Sequence, residues 1–188
     1  MLSWRVTYME RVAPPDASAP EARGAAIGFA READITLDAY RDLHRKIGQN
    51  WLWWERLALD DGALGKLIWH RDTDIHTLRV GGELAGFAEL DRGDATAPAI
   101  RYFGLTPEFI GRRLGGYMMA CVLHRVWRPG VRRVTLDTCD LDHPDAIEFY
   151  RRHRFTETGG EMRQAADPRL SGILPRHAAA HIPLNRQL

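Results

Sequence analysis

A loop rich in glycine and arginine, Thr106–Gly116, has the residue types of an anion-binding site. It follows an apolar segment, Ile100–Leu105, that predicts a strand, and it precedes an amphipathic segment that predicts a helix over Tyr117–Arg128. Backbone N–H groups in the first turn of a helix have no partner within the helix, and the helix dipole there favours an anion. Glycines allow the backbone to approach a ligand closely, and arginines add positive charge. The spacing therefore predicts a site for a pyrophosphate.

A tyrosine further along the chain, Tyr150, is a candidate proton donor. The residues Asp142, His143 and Pro144 predict the start of a helix that runs to about His153 and carries this tyrosine. A phenol with an ordinary pKa of about 10 is neutral at pH 7 and can donate a proton. The alternative is a core tyrosine packed between a helix and a sheet.

A general base is less clearly indicated, and three residues are candidates. Glu89 lies on the predicted strand Glu83–Leu90, on the same face as Phe87 by alternation. Its alternative is a solvated strand residue. Asp137 and His143 are the other candidates. His143 suits a base near neutrality because an imidazole has an ordinary pKa of about 6.5. The place of His143 at a helix start also suits a hydrogen bond to a cofactor or to the backbone.

Three tryptophans, Trp51, Trp53 and Trp54, fall in a segment predicted to be helical over residues 50–59. On a helix, Trp51 and Trp54 share one face because they are three residues apart. An aromatic wall of this kind suits an apolar, aromatic or cationic ligand, and Tyr102 can add to it. Packing of these rings in the core is the alternative.

The remaining pattern predicts the elements that position these residues. Gly81-Gly82 predicts a two-residue hairpin turn, and Thr36 suits the N-cap of a helix. Three strands with short connections come before an alternation of strands and helices, which predicts an α/β (α+β) fold with a mixed central sheet flanked by helices. The predicted strands are Arg5–Glu10, Ile75–Val80, Glu83–Leu90, Ile100–Leu105, Arg133–Thr138 and Phe155–Met162.

Length and composition limit the functional classes. The 188 residues suit one domain, with 45% hydrophobic and 27% charged residues, as in ordinary globular proteins. A net charge of +1 argues against nucleic-acid binding, and the absence of an apolar run of about 20 residues argues against a membrane span. Cys121 and Cys139 lack zinc-site spacing, so we expect free thiols, no metal and a cytoplasmic protein.

The loop and the helix around Tyr150 resemble the GCN5-related N-acetyltransferase (GNAT) superfamily over about residues 35–161. In that family the pattern Arg/Gln-x-x-Gly-x-Gly/Ala wraps the pyrophosphate of acetyl-CoA. Here Ile110 replaces the Arg or Gln, Arg113 replaces the first glycine, and Gly115 matches the second. If position 113 requires a positive φ, this arginine is strained.

A second family pattern, Asn-x-x-Ala-x-x-x-Tyr followed by Gly-Phe, matches in part. His143 takes the Asn position, Ala146 and Tyr150 match, and Arg154 replaces the glycine before Phe155. The words Trp51–Trp54 and Tyr102–Leu105 are similar to one bacterial subgroup of the family.

The resemblance implies a GNAT fold with six to seven strands, a single domain over residues 1–165 and an irregular C-terminal tail over 166–188. It implies transfer of an acetyl group from acetyl-CoA to the amine of a small molecule or peptide, by direct attack in a ternary complex. In these terms Tyr150 protonates the leaving thiolate, and Trp51, Trp54 and Tyr102 bind the acceptor. Glu89 is our candidate for the base, with Asp137 and His143 still open. The residues implied to bind acetyl-CoA are Phe103, Gly104, Leu105, Gly111, Arg112, Arg113, Leu114, Gly115, Gly116 and His143.

Two alternatives to an acetyltransferase stay open at this point. The departures at Ile110, Arg113, His143 and Arg154 suit a module of the same fold that binds acyl-CoA without catalysis. A protein or nucleic-acid adaptor built on the fold is weakened by the near-zero net charge. The resemblance names neither the acceptor nor the acyl chain, and a homodimer, which is common in the family, is also open.

Overall fold

A seven-stranded mixed sheet runs through the part of the chain that the computed structural model describes, which is residues 1–15, 20 and 26–184. The sheet order is β2-β3-β4-β5-β6-β1-β7, and four α-helices flank it among these residues. The strands are β1 (Leu2–Arg11), β2 (Ile27–Arg31), β3 (Thr73–Val80), β4 (Glu83–Asp91), β5 (Ala99–Leu105), β6 (Val134–Cys139) and β7 (Thr156–Ala165). The helices are α1 (Leu37–Leu43), α2 (Asp61–Ile68), α3 (Leu114–Val126) and α4 (Ala146–Arg152). The predicted fold class is confirmed.

Strands β3, β4 and β5 form the antiparallel half of the sheet that the sequence predicted. The turn between β3 and β4 has φ values of 59° at Gly81 and 85° at Gly82, which favour glycine at both positions. Helix α1 begins after Thr36, whose hydroxyl accepts a hydrogen bond from the Ala39 N–H at 3.2 Å. Both local predictions are therefore confirmed.

Strands β5 and β6 are parallel but remain paired over only two positions. The registered pairs are Ala99 with Thr135 and Ile100 with Leu136. Beyond Ile100 the two strands diverge, so the β5 edge that faces β6 is left without a neighbouring strand. Helix α3 covers one side of this fork with an apolar stripe that includes Met119, Val122 and Val126.

The first strand, β1, lies between β6 and β7 and is antiparallel to both. Its buried residues Leu2, Trp4 and Val6 pack against the C-terminal segment. That segment has neither helix nor strand over residues 166–184, whereas residues 185–188 of the predicted tail lie outside the described residues. A buried ion pair, Arg169 to Asp167 at 2.7 Å, fixes its path.

The structure differs from the sequence predictions at two helices. The helix predicted over residues 50–59 is absent: a 3₁₀ turn at Gln49–Trp51 ends at Leu52, which adopts a left-handed conformation with φ 53°. The helix predicted from Asp142 begins only at Ala146, as α4. In addition, β2 is a short and largely exposed edge strand whose pattern did not stand out in the sequence.

Candidate active site

A cleft of about 910 Å³ opens where β5 and β6 diverge. This volume lies towards the upper end of the range for small-molecule sites, about 300–1,000 Å³. The Gly loop lies at one end of the cleft, and the segment after α1 forms part of its wall. The lining includes the predicted residues Trp51, Tyr102, Phe103, Gly104, Leu105, Gly111, Arg113, Leu114, Gly115, Gly116, His143 and Tyr150.

The first turn of α3 faces the cleft at the Gly-loop end. Gly115 and Gly116 line the cleft there, and no side chain caps the helix and no acidic residue lies in its first turn. Its unpaired N–H groups and the positive end of its dipole are therefore available to an anion. Arg113 and Arg152 line the same region and add positive charge.

The two arginines of the loop have different environments. Arg113 lines the cleft in a left-handed conformation with φ 60°. Position 113 therefore has the positive φ at which an arginine is strained. Arg112 instead lies over the ring of Phe109, 4.9 Å from its centroid, and is not among the cleft-lining residues described. The structure thus brings Arg113, but not Arg112, to the predicted site.

Trp53 lies across the fork between β5 and the end of β6. A methyl group at Gly104 would come 3.0 Å from the Trp53 ring, so this glycine allows the indole to pack on β5. The indole N–H donates to Asp142 Oδ1 at 3.0 Å. Asp142 also accepts hydrogen bonds from the Thr138 hydroxyl at 2.8 Å and the Cys139 N–H at 3.0 Å. These three bonds hold a carboxyl whose pKa is raised by burial.

Tyr150 combines burial with a hydroxyl that has no protein partner. The residue is 8% exposed and lines the cleft, and its hydroxyl makes no hydrogen bond among the described residues. Burial, with the nearby carboxylates Asp142 and Asp137, raises the pKa of the phenol. The phenol is therefore protonated at neutral pH and can donate to a group in the cleft.

Glu89 does not line the cleft, and its carboxylate is fully engaged. The residue is 2% exposed. Tyr40 donates a hydrogen bond to Oε2, and Arg56 donates to Oε1 at 2.5 Å. The same Tyr40 hydroxyl contacts His44 Nε2 at 3.0 Å. A carboxylate held by two donors inside the core is poorly placed to take a proton from a ligand, which argues against Glu89 as the base.

The tryptophans that line the cleft are not the two that a helix would place on one face. Trp51 lines the cleft with Tyr102, but Trp54 packs edge-on against Trp4 at 5.2 Å, under the C-terminal segment. Trp53 takes the place expected for Trp54 in the lining. The cause is the left-handed backbone at Leu52, which removes the helical spacing on which the shared face depended.

His143 and Asp137 lie at the end of the cleft near β6. His143 Nδ1 accepts a hydrogen bond from the Asp145 N–H at 3.1 Å, and its ring meets the Trp51 ring edge-on at 5.3 Å. Asp137 follows Leu136, the last residue of β6 paired with β5, and so lies at the fork.

Sequence reasoning missed Glu55 as a residue of the cleft wall. It lies in a turn closed by the Ala58 N–H, which donates to the Trp54 carbonyl at 2.9 Å. The residue is exposed at the cleft surface, and desolvation by the surrounding protein, together with Asp142 and Asp137, raises the pKa of its carboxyl. The available signal was a charged pair of residues directly after the tryptophan run.

Comparison with known proteins identifies the family. The model of the Acetyltransferase (GNAT) family matches residues 37–155, which is more than half of the chain. The chain belongs to the GNAT acetyltransferase family. The matched range includes the Gly loop and Tyr150, whereas β1 and β7 lie outside it. A search of curated proteins gives no match.

Solved structures of GNAT proteins share the fold. A GNAT-family protein from Novosphingobium aromaticivorans is 17% identical, with a TM-score of 0.57 over 86% of this chain and 63% of its own. A GCN5-related N-acetyltransferase from Kribbella flavida is 15% identical, with a TM-score of 0.56 over 89% and 60%. A GNAT acetyltransferase from Elizabethkingia anophelis with acetyl-CoA bound is 12% identical, with a TM-score of 0.51 over 69% and 76%. This chain thus spans less than two thirds of the length of the first two proteins.

Residues 1–15, 20 and 26–184 contain no group of three or more His, Cys, Asp or Glu side chains that could hold a metal ion. Within the same ranges, no helix is long and apolar enough to cross a membrane.

Proposed function

We propose that this protein is an acetyl-CoA-dependent N-acetyltransferase that acylates the amine of a small molecule or peptide within a ternary complex. The observation that carries the proposal is the fork between β5 and β6, with an uncapped helix N-terminus at its Gly loop and the Tyr150 hydroxyl in the same cleft. Family membership supports acetyl transfer, and the geometry below supports its details.

The two halves of acetyl-CoA suit different parts of the cleft. The first turn of α3 and Arg113 would bind the pyrophosphate through backbone N–H groups and charge. The pantetheine arm carries amides that can pair with backbone groups of β5 beyond Ile100, which have no strand beside them on that edge. The thioester would then lie near Phe103–Leu105, where a backbone N–H can stabilise a developing oxyanion.

Direct attack by the amine is favoured over an acetyl-enzyme. Cys139 lines the cleft, but burial and the nearby Asp142 raise the pKa of its thiol to about 12. A protonated thiol is a poor nucleophile. Alignment of thioester and amine in one cleft can supply much of the acceleration without a covalent step on the protein.

Two side chains would handle the protons. The amine must lose a proton to attack, and Asp137 at the fork is the best-placed carboxylate because Glu89 is held by Tyr40 and Arg56. The departing thiolate gains a proton, which the neutral Tyr150 phenol can donate.

The test combines binding with turnover. Acetyl-CoA should raise the melting temperature, since a ligand that binds only the folded state stabilises it. Release of the CoA thiol should then depend on an added amine, with the acetylated amine detected by mass spectrometry. Stabilisation without amine-dependent release would leave a non-catalytic acyl-CoA-binding module, and no stabilisation at all would contradict the proposal.

A further inference from the structure

Two acidic residues, one on the segment after α1 and one on β6, line the cleft without an ion-pair partner in the part of the chain that the structure describes. Glu55 and Asp137 both line the cleft, and neither makes an ion pair among the described residues. They lie within electrostatic range of each other and of Asp142. Asp142 differs from them because three hydrogen bonds already hold its carboxyl.

The arginines in this region are already committed to other carboxylates. Arg56, the residue after Glu55, points inward and donates to Glu89 Oε1 at 2.5 Å. Arg101 pairs with Asp91 at 2.7 Å. Arg56 also lines the cleft and lies within electrostatic range of Glu55, but its ion pair is with Glu89, so neither Glu55 nor Asp137 has an ion-pair partner of its own among the described residues.

Hydroxyl groups on the same part of the cleft also lack protein partners. The Tyr150 side chain is 8% exposed, yet its hydroxyl makes no hydrogen bond among residues 1–15, 20 and 26–184, and it lies close to Asp137 and Asp142. The Tyr102 hydroxyl is likewise unbonded within those ranges and lies close to Glu55 and Asp137. Both residues line the cleft, so their hydroxyls are available to hydrogen-bond a ligand there.

Aromatic rings complete the wall around these acids. Trp53 and Tyr102 pack together with centroids 5.2 Å apart, and Trp51 lines the cleft beside His143. The faces of such rings attract cations. Arg56 already lies over the Tyr102 ring, 5.4 Å from its centroid, so Trp51 and Trp53 are the rings that remain for a cationic ligand. Unpaired carboxylates and aromatic rings in one cleft together suit a ligand that is positively charged.

We propose that the acceptor is a dication, an amine that carries a second ammonium or guanidinium group, and that Glu55 binds this second cation while Asp137 faces the reacting amine. The inference rests on the proposed function and names the substrate class of the same site. Glu55 is then a specificity residue. Its removal should weaken the binding of dications more than that of singly charged amines, and leave the binding of acetyl-CoA unaffected.

The first experiment measures binding alone, by calorimetry and tryptophan fluorescence. The probes are α,ω-diamines from diaminopropane to diaminooctane, each compared with the monoamine of the same chain length. The best diamine should bind the wild-type protein about tenfold more tightly than its monoamine, because a hydrogen bond between two charged groups at an exposed carboxylate contributes towards the lower end of its usual range. Glu55→Gln should remove this preference.

The matched control is Glu83→Gln, the same change at an exposed residue at the start of β4 that is outside the lining. It should keep the full preference for the diamine. Equal binding of diamine and monoamine by the wild-type protein would overturn the inference, and so would a Glu55→Gln variant that keeps the preference with an unchanged melting temperature.

The second experiment measures turnover, and it separates failure of this inference from failure of the proposed function. Glu55→Gln should lower the ratio of kcat/KM for the diamine to kcat/KM for the monoamine about tenfold. Acetylation of both amines at equal kcat/KM would contradict the inference and leave the acetyltransferase intact. Absence of acetyl-CoA binding would contradict the proposed function, while the diamine titration would still show whether Glu55 gives the cleft a preference for dications.

Discussion

Replacing Arg113 with glycine should change stability and ligand affinity in opposite directions. Arg113 has φ 60°, and a left-handed conformation costs a residue with a Cβ roughly 1–2 kcal/mol. Glycine removes this strain but costs about 0.5–1 kcal/mol in chain entropy on folding. The free energy of unfolding should therefore rise by about 0.5–1 kcal/mol. For a chain of 188 residues this corresponds to an increase in melting temperature of about 1–4 °C.

The same change should weaken the binding of acetyl-CoA. The side chain lines the cleft beside the uncapped end of α3, where it can donate to a phosphate. A hydrogen bond to a charged group contributes about 1.5–3 kcal/mol, and exposure to solvent reduces this towards the lower limit. The dissociation constant should therefore rise about tenfold, and the difference should shrink at high salt.

Two further variants separate strain from charge. Arg113→Ala removes the charge but keeps a Cβ at positive φ, so it should lose affinity without gaining stability. Arg154→Gly changes an arginine with a similar φ of 62° that is outside the lining, so it should leave acetyl-CoA affinity unchanged. Denaturant unfolding and calorimetric titration measure both quantities. An Arg113→Gly protein that binds acetyl-CoA as tightly as wild type would refute the role of this side chain.

Three further predictions follow from the cleft and the core. Tyr150→Phe should lower kcat about tenfold or more in steady-state assays, because the neutral phenol can no longer protonate the thiolate, while acetyl-CoA binding stays constant. Gly104→Ala should destabilise the protein by about 1–3 kcal/mol in denaturant unfolding, because its Cβ would lie 2.7 Å from Ile47 Cγ2. Burial lowers the pKa of His44 to about 3 and of His76 to about 4, so the unfolded chain binds more protons between pH 6.5 and 4. The free energy of unfolding should therefore fall as pH falls through this window, by up to about 1.4 kcal/mol per pH unit for each histidine.

Two of these predictions have a control variant. Gly28→Ala adds a Cβ that meets nothing within 4 Å, and it should leave the free energy of unfolding nearly unchanged. His44→Phe removes one titrating group and should reduce the pH slope by about half. A slope of zero between pH 6.5 and 5 would contradict the account of the histidines, and an unchanged kcat would remove Tyr150 from the mechanism.

The features predicted well from the sequence depend on neighbouring residues. The hairpin at Gly81-Gly82, the N-cap at Thr36 and the loop before α3 all follow from local backbone preferences. The pairing of the Gly loop with a downstream tyrosine also pointed to the family, because the family pattern fixes both the order and the spacing of these parts.

The features that were not predicted depend on long-range contacts. Strand alternation placed Glu89 on a face, but Tyr40 and Arg56 come from elsewhere in the chain to hold its carboxylate. Trp53 lines the cleft in place of Trp54 because the backbone at Leu52 is left-handed. A leucine rarely adopts this conformation, so the sequence did not predict it.

A crystal structure with CoA bound would test the central claim most directly. The account predicts the pyrophosphate on the first turn of α3 beside Arg113 and the pantetheine arm between β5 and β6. It also predicts the CoA sulfur within about 3.5 Å of the Tyr150 hydroxyl, the distance that proton transfer requires. CoA bound outside the fork, or a sulfur directed away from Tyr150, would contradict the account.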